Sequence, residues 1–343
     1  MQILENVPIS RLTTMRLGGF ARYVIYVKSA AEVEQAYLFA QVKRLPVYVL
    51  GAGANTIGRD EGFPGVIIIS EIDGIKKEPQ PDGTMLLRGG SGLIWDDFVA
   101  SACAMNLTGI EALSAIPGKL GAAPVQNIGA YGQEIANVIA EVKAYDTQTG
   151  TMVTLRKEEL GFAYRKSIFN SDAKHRYFIT EVAVQLQLGH LTPPFYPSLQ
   201  KYLDEHNITE YSPKQIREAV TAIRAAKLPD PAVIPSAGSF FKNIVLTPPE
   251  VIKAEAQGIP VWNQKINTGW LIEQCDLKGK VLHGMRVSNK AALILINDSA
   301  KGYDDLAAAR TRIQEKVFKK FGYQIEQEPE EIPSDPKMPR GVL

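Results

Sequence analysis

The sequence predicts an α+β fold on three observations. Strand and helix signals alternate in the first seventy residues, they segregate in the middle of the chain, and they mix again behind a proline break near residue 230. With 343 residues the chain suits two or three domains at roughly 100–200 residues each.

Residues 13–19 form a turn-rich lead-in, and 21–27 read as a strand. Over 31–43, Val33, Ala36, Tyr37 and Ala40 fall at helical spacing on one apolar face. Residues 45–50 read as a buried strand running into Gly51-Ala52-Gly53-Ala54-Asn55, and 65–69 as another strand. This gives a small α/β unit over 1–72. A second unit, 73–228, opens with a strand at 85–89 and a helix at 94–105, where Trp95, Phe98, Val99 and Ala102 share a face. Segments 138–145 and 152–155 flank a turn and predict a hairpin, and 177–188 alternate as one long strand. Residues 191–197 are proline-rich and irregular. Ser212 is an N-cap, Pro213 fits the first turn and Gln215 completes a capping box, so a helix follows with Ile216, Val220 and Ile223 as its stripe. Pro229 and Pro231 stop it and open a third unit, 229–330, with helices near 249–257, 269–274 and 304–321 and a strand at 292–296. Beyond Gly322 the chain turns acidic and then proline-rich, and its tail, 331–343, is expected to fray at the end.

Composition excludes several classes. Thirty-eight Lys and Arg against 37 Asp and Glu leave a formal net charge of +1, so no bulk charge draws the chain to nucleic acid or an anionic membrane. A hydrophobic fraction of 45% fits a full core and rules out wholesale disorder. The longest apolar stretches, 66–69 and 291–296, fall far short of the roughly 20 residues that cross a bilayer. Met1-Gln2-Ile3-Leu4-Glu5 has neither the basic start nor the apolar run of a signal peptide, so a cytoplasmic location is expected. Cys103 and Cys275 are too few and too distant for a disulfide framework, and four scattered histidines give no metal-ligand spacing.

Five segments can carry chemistry. The small residues of the 51–55 loop let backbone N–H groups approach a phosphate, although it is neither a Gly-x-Gly-x-x-Gly nor a Walker loop, and a tight turn is the competing reading. The stretch Ile116-Pro117-Gly118-Lys119-Leu120-Gly121-Ala122-Ala123-Pro124-Val125-Gln126-Asn127-Ile128-Gly129-Ala130-Tyr131-Gly132 has little side-chain bulk, which suits backbone lying against a planar ligand. Phe162-Ala163-Tyr164-Arg165-Lys166-Ser167 offers an arginine as a carboxylate clamp or as a plain surface cation. Arg224 and Lys227 share a helix face, as a phosphate clamp or as cations complementing the helix dipole. Ser236-Ala237-Gly238-Ser239-Phe240-Phe241-Lys242-Asn243 lacks both a nearby histidine and a nucleophile elbow, so Ser239 suits proton donation better than attack.

In this order the segments resemble the UDP-N-acetylenolpyruvoylglucosamine reductase family, from about Thr13 to Glu328. Thr13-Thr14-Met15-Arg16-Leu17-Gly18-Gly19, Arg59-Asp60-Glu61-Gly62-Phe63, Lys227-Leu228-Pro229-Asp230-Pro231 and Gly269-Trp270-Leu271-Ile272-Glu273-Gln274 join the stretches above in carrying the likeness. The loop at 191–199 resembles the longer family variant, with an extra tyrosine-bearing loop. The resemblance implies a two-part, vanillyl-alcohol-oxidase-like FAD-binding module followed by a smaller α/β substrate-binding domain. It implies FAD as bound cofactor, NADPH as co-substrate, and reduction of UDP-N-acetylglucosamine enolpyruvate to UDP-N-acetylmuramate for peptidoglycan, by a monomer with no nucleic-acid or membrane partner and no metal. Ser239, Arg165 and Glu328 match the catalytic residues. Gly51, Ala52, Gly53, Ala54, Asn55, Thr56, Ile116, Pro117, Gly118, Gly121, Ala122, Gln126, Asn127, Gly129 and Ala130 match the cofactor contacts. Tyr131, Tyr164, Tyr196, Arg224, Lys227, Asn243 and Lys278 match the substrate contacts.

The sequence departs from the family pattern at His283-Gly284-Met285-Arg286-Val287-Ser288-Asn289, at Ala291 where the family has glutamine, and at Glu328-Pro329-Glu330. The last leaves Glu326 as the alternative glutamate. Two other readings compete: a different FAD oxidoreductase such as an alcohol oxidase, and a non-catalytic sugar-nucleotide binder.

Overall fold

Three β-sheets, each backed by helices, carry the fold of the computed structural model, which describes residues 1–333. The end of the tail expected to fray, 334–343, lies outside the described residues.

In the first sheet, Phe20–Val27, Phe63–Ser70 and Val47–Leu50 run parallel. Parallel strands need a crossover, and the helix Ala30–Val42 supplies it. Ser29 caps that helix by accepting from the Glu32 N–H, and Val33, Ala36 and Ala40 turn inward onto Tyr23, Ile25, Val66 and Ile68. Tyr145 and Phe178 of the second sheet enter the same cluster, so the two sheets share a core there. An edge strand, Gln2–Pro8, pairs antiparallel with Phe20–Val27. The sequence reading missed it because its first five residues are exposed and carry no apolar alternation.

The second sheet is antiparallel, in the order Thr151–Arg156, Ile139–Asp146, Tyr177–Leu188, Met85–Gly90, Ile75–Pro79. The predicted hairpin and long strand are its centre. The helix Trp95–Ala104 lays Trp95, Phe98, Val99 and Ala102 on it, fully buried with Leu87, Val182 and Val184. The helix Pro213–Lys227 starts at the Ser212–Gln215 capping box as expected. It packs on an unforeseen partner, the helix Pro197–Glu205, through Leu199 and Leu203. Prolines at 193, 194 and 197 mask that helix in the sequence, yet Pro197 only occupies its first turn, where no N–H is needed.

The third sheet joins Ser236–Ser239, Ile294–Asn297, Met285–Val287 and Val281–Leu282. The helix Tyr303–Phe321 covers it with Leu306, Ala309, Ile313 and Val317 and ends at Gly322, whose φ of 77° is the left-handed cap that glycine favours. The chain then returns to its beginning. Glu330–Glu331 pairs parallel with Thr56–Ile57, and Ile332 is buried with Ile9, Val24 and Tyr48.

Glu331 anchors this return. Its carboxylate accepts from Arg59 Nη2 at 2.6 Å, Tyr303 OH at 2.7 Å and Arg310 Nη1 at 2.9 Å. Burial pushes the carboxyl up, but hydrogen bonds from Tyr303, Arg59 and Arg310 together outweigh it and hold the group below the usual glutamate range. A carboxylate depressed in the folded state adds stability above its unfolded pKa, and that contribution is lost as pH falls through the folded pKa. Glu331→Gln is therefore expected to lower the Tm at neutral pH and to lose less additional Tm than the wild type on acidification to about pH 3. Parallel acid slopes in thermal melts would contradict this.

Candidate functional site

The parallel strands Val47–Leu50 and Phe63–Ser70 end at a cleft of about 1010 Å³, walled on its other sides by the second unit and by Ser236–Ser239. The C-terminal edge of a parallel sheet is where α/β folds bind ligands, because loops there present free backbone N–H groups. Gly53 has φ 65°, and a Cβ on it would lie 2.0 Å from the Leu12 carbonyl, so only glycine lets the 51–55 loop fold back on the lead-in. Gly118 has φ 145° and a Cβ there would meet nothing, which leaves backbone facing open cleft.

Most predicted residues line this cleft: Gly51, Ala52, Gly53, Ala54, Asn55, Thr56, Ile116, Pro117, Gly118, Gly121, Ala122, Gln126, Gly129, Arg165, Arg224, Ser239 and Glu328. Asn55 Nδ2 donates to Gln126 Oε1 at 2.9 Å, which ties the two small-residue loops together.

Arg165 and Glu328 meet although 163 residues separate them, Nε donating to Oε1 at 2.8 Å. Arg165 sits in a tight turn at φ 54°, closed by the reciprocal Ala163–Lys166 backbone pair and by Asn170 Nδ2 donating to its carbonyl at 3.1 Å. Glu328 is set by backbone, its N–H donating to Phe240 O at 2.9 Å, one residue beyond Ser239. The Glu328 side chain is 8% exposed, whereas that of Glu326 is 77% exposed and pairs with Lys242 on the surface. Of the two glutamates, only Glu328 reaches the cleft. Burial pushes its carboxyl up and Arg165 pulls it down, with burial winning.

At another wall, Arg224 donates from Nε to Ala115 O at 3.2 Å, and burial pulls its pKa down. Ala115 is held in turn by Asp96, which accepts its N–H at 2.6 Å and grips Arg217 in a fork of 2.6 and 2.8 Å. Tyr131 and Tyr196 pack edge to face, centroids 5.8 Å apart, outside the cleft lining, and Tyr131 is near enough to Arg224 to feel its charge. Lys227 is exposed on the same helix and does not line the cleft.

Several predicted contacts fall elsewhere. The Asn127 side chain is buried and spent on structure, donating to Glu134 at 2.8 Å and Ala163 O at 3.1 Å and accepting from Ala136 N. Ala130 pairs with Gln133 in a two-stranded ribbon. Tyr164 lies beneath Lys265, whose Nζ is 3.9 Å from its ring centroid. Asn243 Oδ1 accepts from Thr268 N at the start of the helix Thr268–Gln274. Lys278 is ion-paired to Glu273 at 2.8 Å. None of these five lines the cleft.

The cleft also holds residues the sequence reading did not single out as contacts: Asp96, Lys119 and His175. His175 Nε2 is shut off from solvent without a hydrogen-bond partner among the described residues. An orphaned buried nitrogen at the wall of a large, glycine-lined cleft fits a ligand with polar groups, such as a nucleotide. No such signal is available to a sequence, since a lone histidine among charged residues looks like surface. Among the described residues, no cluster of His, Cys, Asp and Glu is arranged to hold a metal ion, and no helix is long and apolar enough to cross a membrane.

Strand edge, glycine loop and small-residue wall define a nucleotide-cofactor-binding protein, and residues 21–156 match the family model described as an FAD binding domain. Residues 230–332 match the C-terminal domain of UDP-N-acetylenolpyruvoylglucosamine reductase. The chain is similar to the UDP-N-acetylenolpyruvoylglucosamine reductases of Ralstonia nicotianae, 36% identical with 96% of this chain and 99% of the relative covered, and of Neisseria gonorrhoeae, 37% identical with 97% and 98% covered. The crystal structure of the reductase from Thermus caldophilus shares the fold, with a TM-score of 0.65 at 23% identity over 97% of this chain and 100% of that one. The chain belongs to the UDP-N-acetylenolpyruvoylglucosamine reductase family.

Asn127→Ala would leave the half-buried Ala136 N–H without its acceptor and remove the bonds to Glu134 and to the Ala163 carbonyl in the turn before Arg165. The expected cost is about 2–4 kcal/mol of stability, read from urea unfolding. A loss below about 0.5 kcal/mol would contradict this structural role.

Proposed function

We propose that this protein uses bound FAD and NADPH to reduce UDP-N-acetylglucosamine enolpyruvate to UDP-N-acetylmuramate, a step of peptidoglycan biosynthesis, as a cytoplasmic monomer. The observation that carries the reading is the meeting of Arg165, Glu328 and Ser239 in one cleft, in a chain with full-length likeness to these reductases. In this reading the cofactor lies between units 1–72 and 73–228, and unit 229–330 closes the substrate side.

When bound, FAD supplies the two-electron hydride chemistry that protein side chains lack. The chain's residues answer the charge that hydride creates. The substrate's double bond is conjugated to a carboxylate, so hydride arriving at the terminal vinyl carbon pushes a second negative charge onto the carboxylate oxygens. Arg165 is the cation for that charge. Glu328 contributes as a hydrogen-bond donor in its protonated form, which burial favours. Ser239 then gives its proton to the carbon bearing the ether oxygen and regains one from water. A serine is a weak acid, but the carbanion-like intermediate is a strong base. Arg224, with Tyr131 beside it and Lys227 one turn further along its helix, supplies positive charge for the substrate's phosphates, while Tyr164, Asn243 and Lys278, engaged outside the cleft, keep no direct substrate contact in this reading.

Ser239→Ala tests the assignment by splitting the reaction. Flavin reduction by NADPH is expected to stay within about twofold of wild type, while turnover falls about 10²–10⁴-fold. Full turnover would remove Ser239 as the donor. Glu328 gives a separate test. Because its carboxyl is raised and needed protonated, turnover falls as pH rises through that raised value. Glu328→Gln keeps a donor that does not titrate, so it is slower at low pH and lacks this alkaline limb. An unchanged limb in the variant would assign it to another group.

A further inference from the structure

We propose that Lys119 supplies the positive charge that holds the pyrophosphate of the bound dinucleotide, a role that rests on the FAD reading above. The 51–55 loop offers backbone N–H groups and small side chains, but no charge of its own. A pyrophosphate in a half-enclosed cleft calls for a cation, because solvent screens it only in part. The other cations at the wall are engaged or in water. Arg165 is paired with Glu328, Lys174 with Glu330, Arg224 is taken by the substrate's phosphates in the reading above, and Lys290 is exposed. Lys119 is half-buried and has no carboxylate within ion-pair distance among the described residues.

Register places its ammonium beside the glycine loop. Leu50 pairs with Ile69 across the two parallel strands, so Gly51 and Ser70, the next residues, stand side by side at the strand ends. Lys119 Nζ donates to the Ser70 carbonyl. From the other side, a Cβ on Gly51 would lie 3.2 Å from the Ala122 methyl, three residues beyond Lys119. The segment that carries the lysine thus packs against the loop's first residue, and its ammonium is tied to the neighbouring strand end at Ser70.

Its backbone is held as well. Lys119 bridges to Ile94, Leu120 N donates to Leu93 O at 2.8 Å, and Gly121 N donates to Ser91 O at 3.0 Å. The ammonium has three donors and gives one to Ser70, which leaves two for phosphate oxygens. Burial pulls its pKa down, the state of a cation that an arriving anion would relieve. The phosphate-binding power that the sequence reading gave to the loops' backbone therefore has a charged partner inside the second loop.

The test uses full-length protein freed of flavin, with binding followed by flavin fluorescence at several salt concentrations. Lys119→Met keeps the apolar stem and removes the charge, and Lys119→Arg keeps the charge. Lys119→Met is expected to weaken FAD binding about tenfold at low salt, to flatten its salt dependence, and to leave riboflavin, which has no phosphate, bound as in wild type. Lys119→Arg retains most of the FAD affinity. Unchanged FAD affinity in Lys119→Met would overturn the proposal, as would an equal loss for FAD and riboflavin, which would mark a packing role. Wild-type protein that binds no FAD would instead sink the cofactor reading on which the proposal rests.

Discussion

The site depends on the return of the chain's last strand to its first unit. Glu330–Glu331 lies parallel to Thr56–Ile57, and the same segment hydrogen-bonds through Glu328 to Phe240. One short extended stretch therefore touches the glycine-loop strand, the Ser239 strand and, through the Glu328 side chain, Arg165 of the second unit. Glu328 and Glu330 both line the cleft, where they meet Arg165 and Lys174. Glu331, next along the strand, turns to the other face, into the Arg59–Tyr303–Arg310 cluster that fastens it. Moving this strand by one residue would exchange those faces and take the carboxyl away from Arg165.

The charge layout follows from burial. Glu328 and Arg224 are both pushed toward their neutral forms by desolvation, while Glu331, with three donors around it, is pulled toward its charged form. Two carboxyl groups three residues apart are thus shifted in opposite directions by what surrounds them. The anchoring carboxylate is ionised and satisfied. The one in the cleft is buried with a single cation, an arrangement that responds to a change of charge at the substrate.

Much of the fold was legible in the sequence. The Ala30–Val42 helix announces itself by its stripe, Pro213–Lys227 by stripe and cap, and Tyr177–Leu188 by alternation. The edge strands Gln2–Pro8 and Ile75–Pro79 were not legible, since mostly exposed strands carry no apolar pattern. The small-residue loops pointed to the cleft because missing side chains are visible in a sequence. Asn127 shows the limit: it sits within the right loop, but its amide turns inward to hold that loop in shape. The choice between Glu326 and Glu328 needed backbone register, which local sequence does not contain. Lys119 and His175 needed the third dimension altogether, since their significance lies in which partners they lack.

The central claim is that one cleft serves both an electron-carrying cofactor and an enolpyruvyl acceptor. Anaerobic absorbance of the FAD-loaded protein tests it most directly. NADPH is added first, then UDP-N-acetylglucosamine enolpyruvate, while the flavin band is followed. The account predicts bleaching by NADPH and return of the band on adding the enolpyruvyl substrate. Bleaching without return would contradict it, because the cleft would then hold a flavin enzyme with a different acceptor.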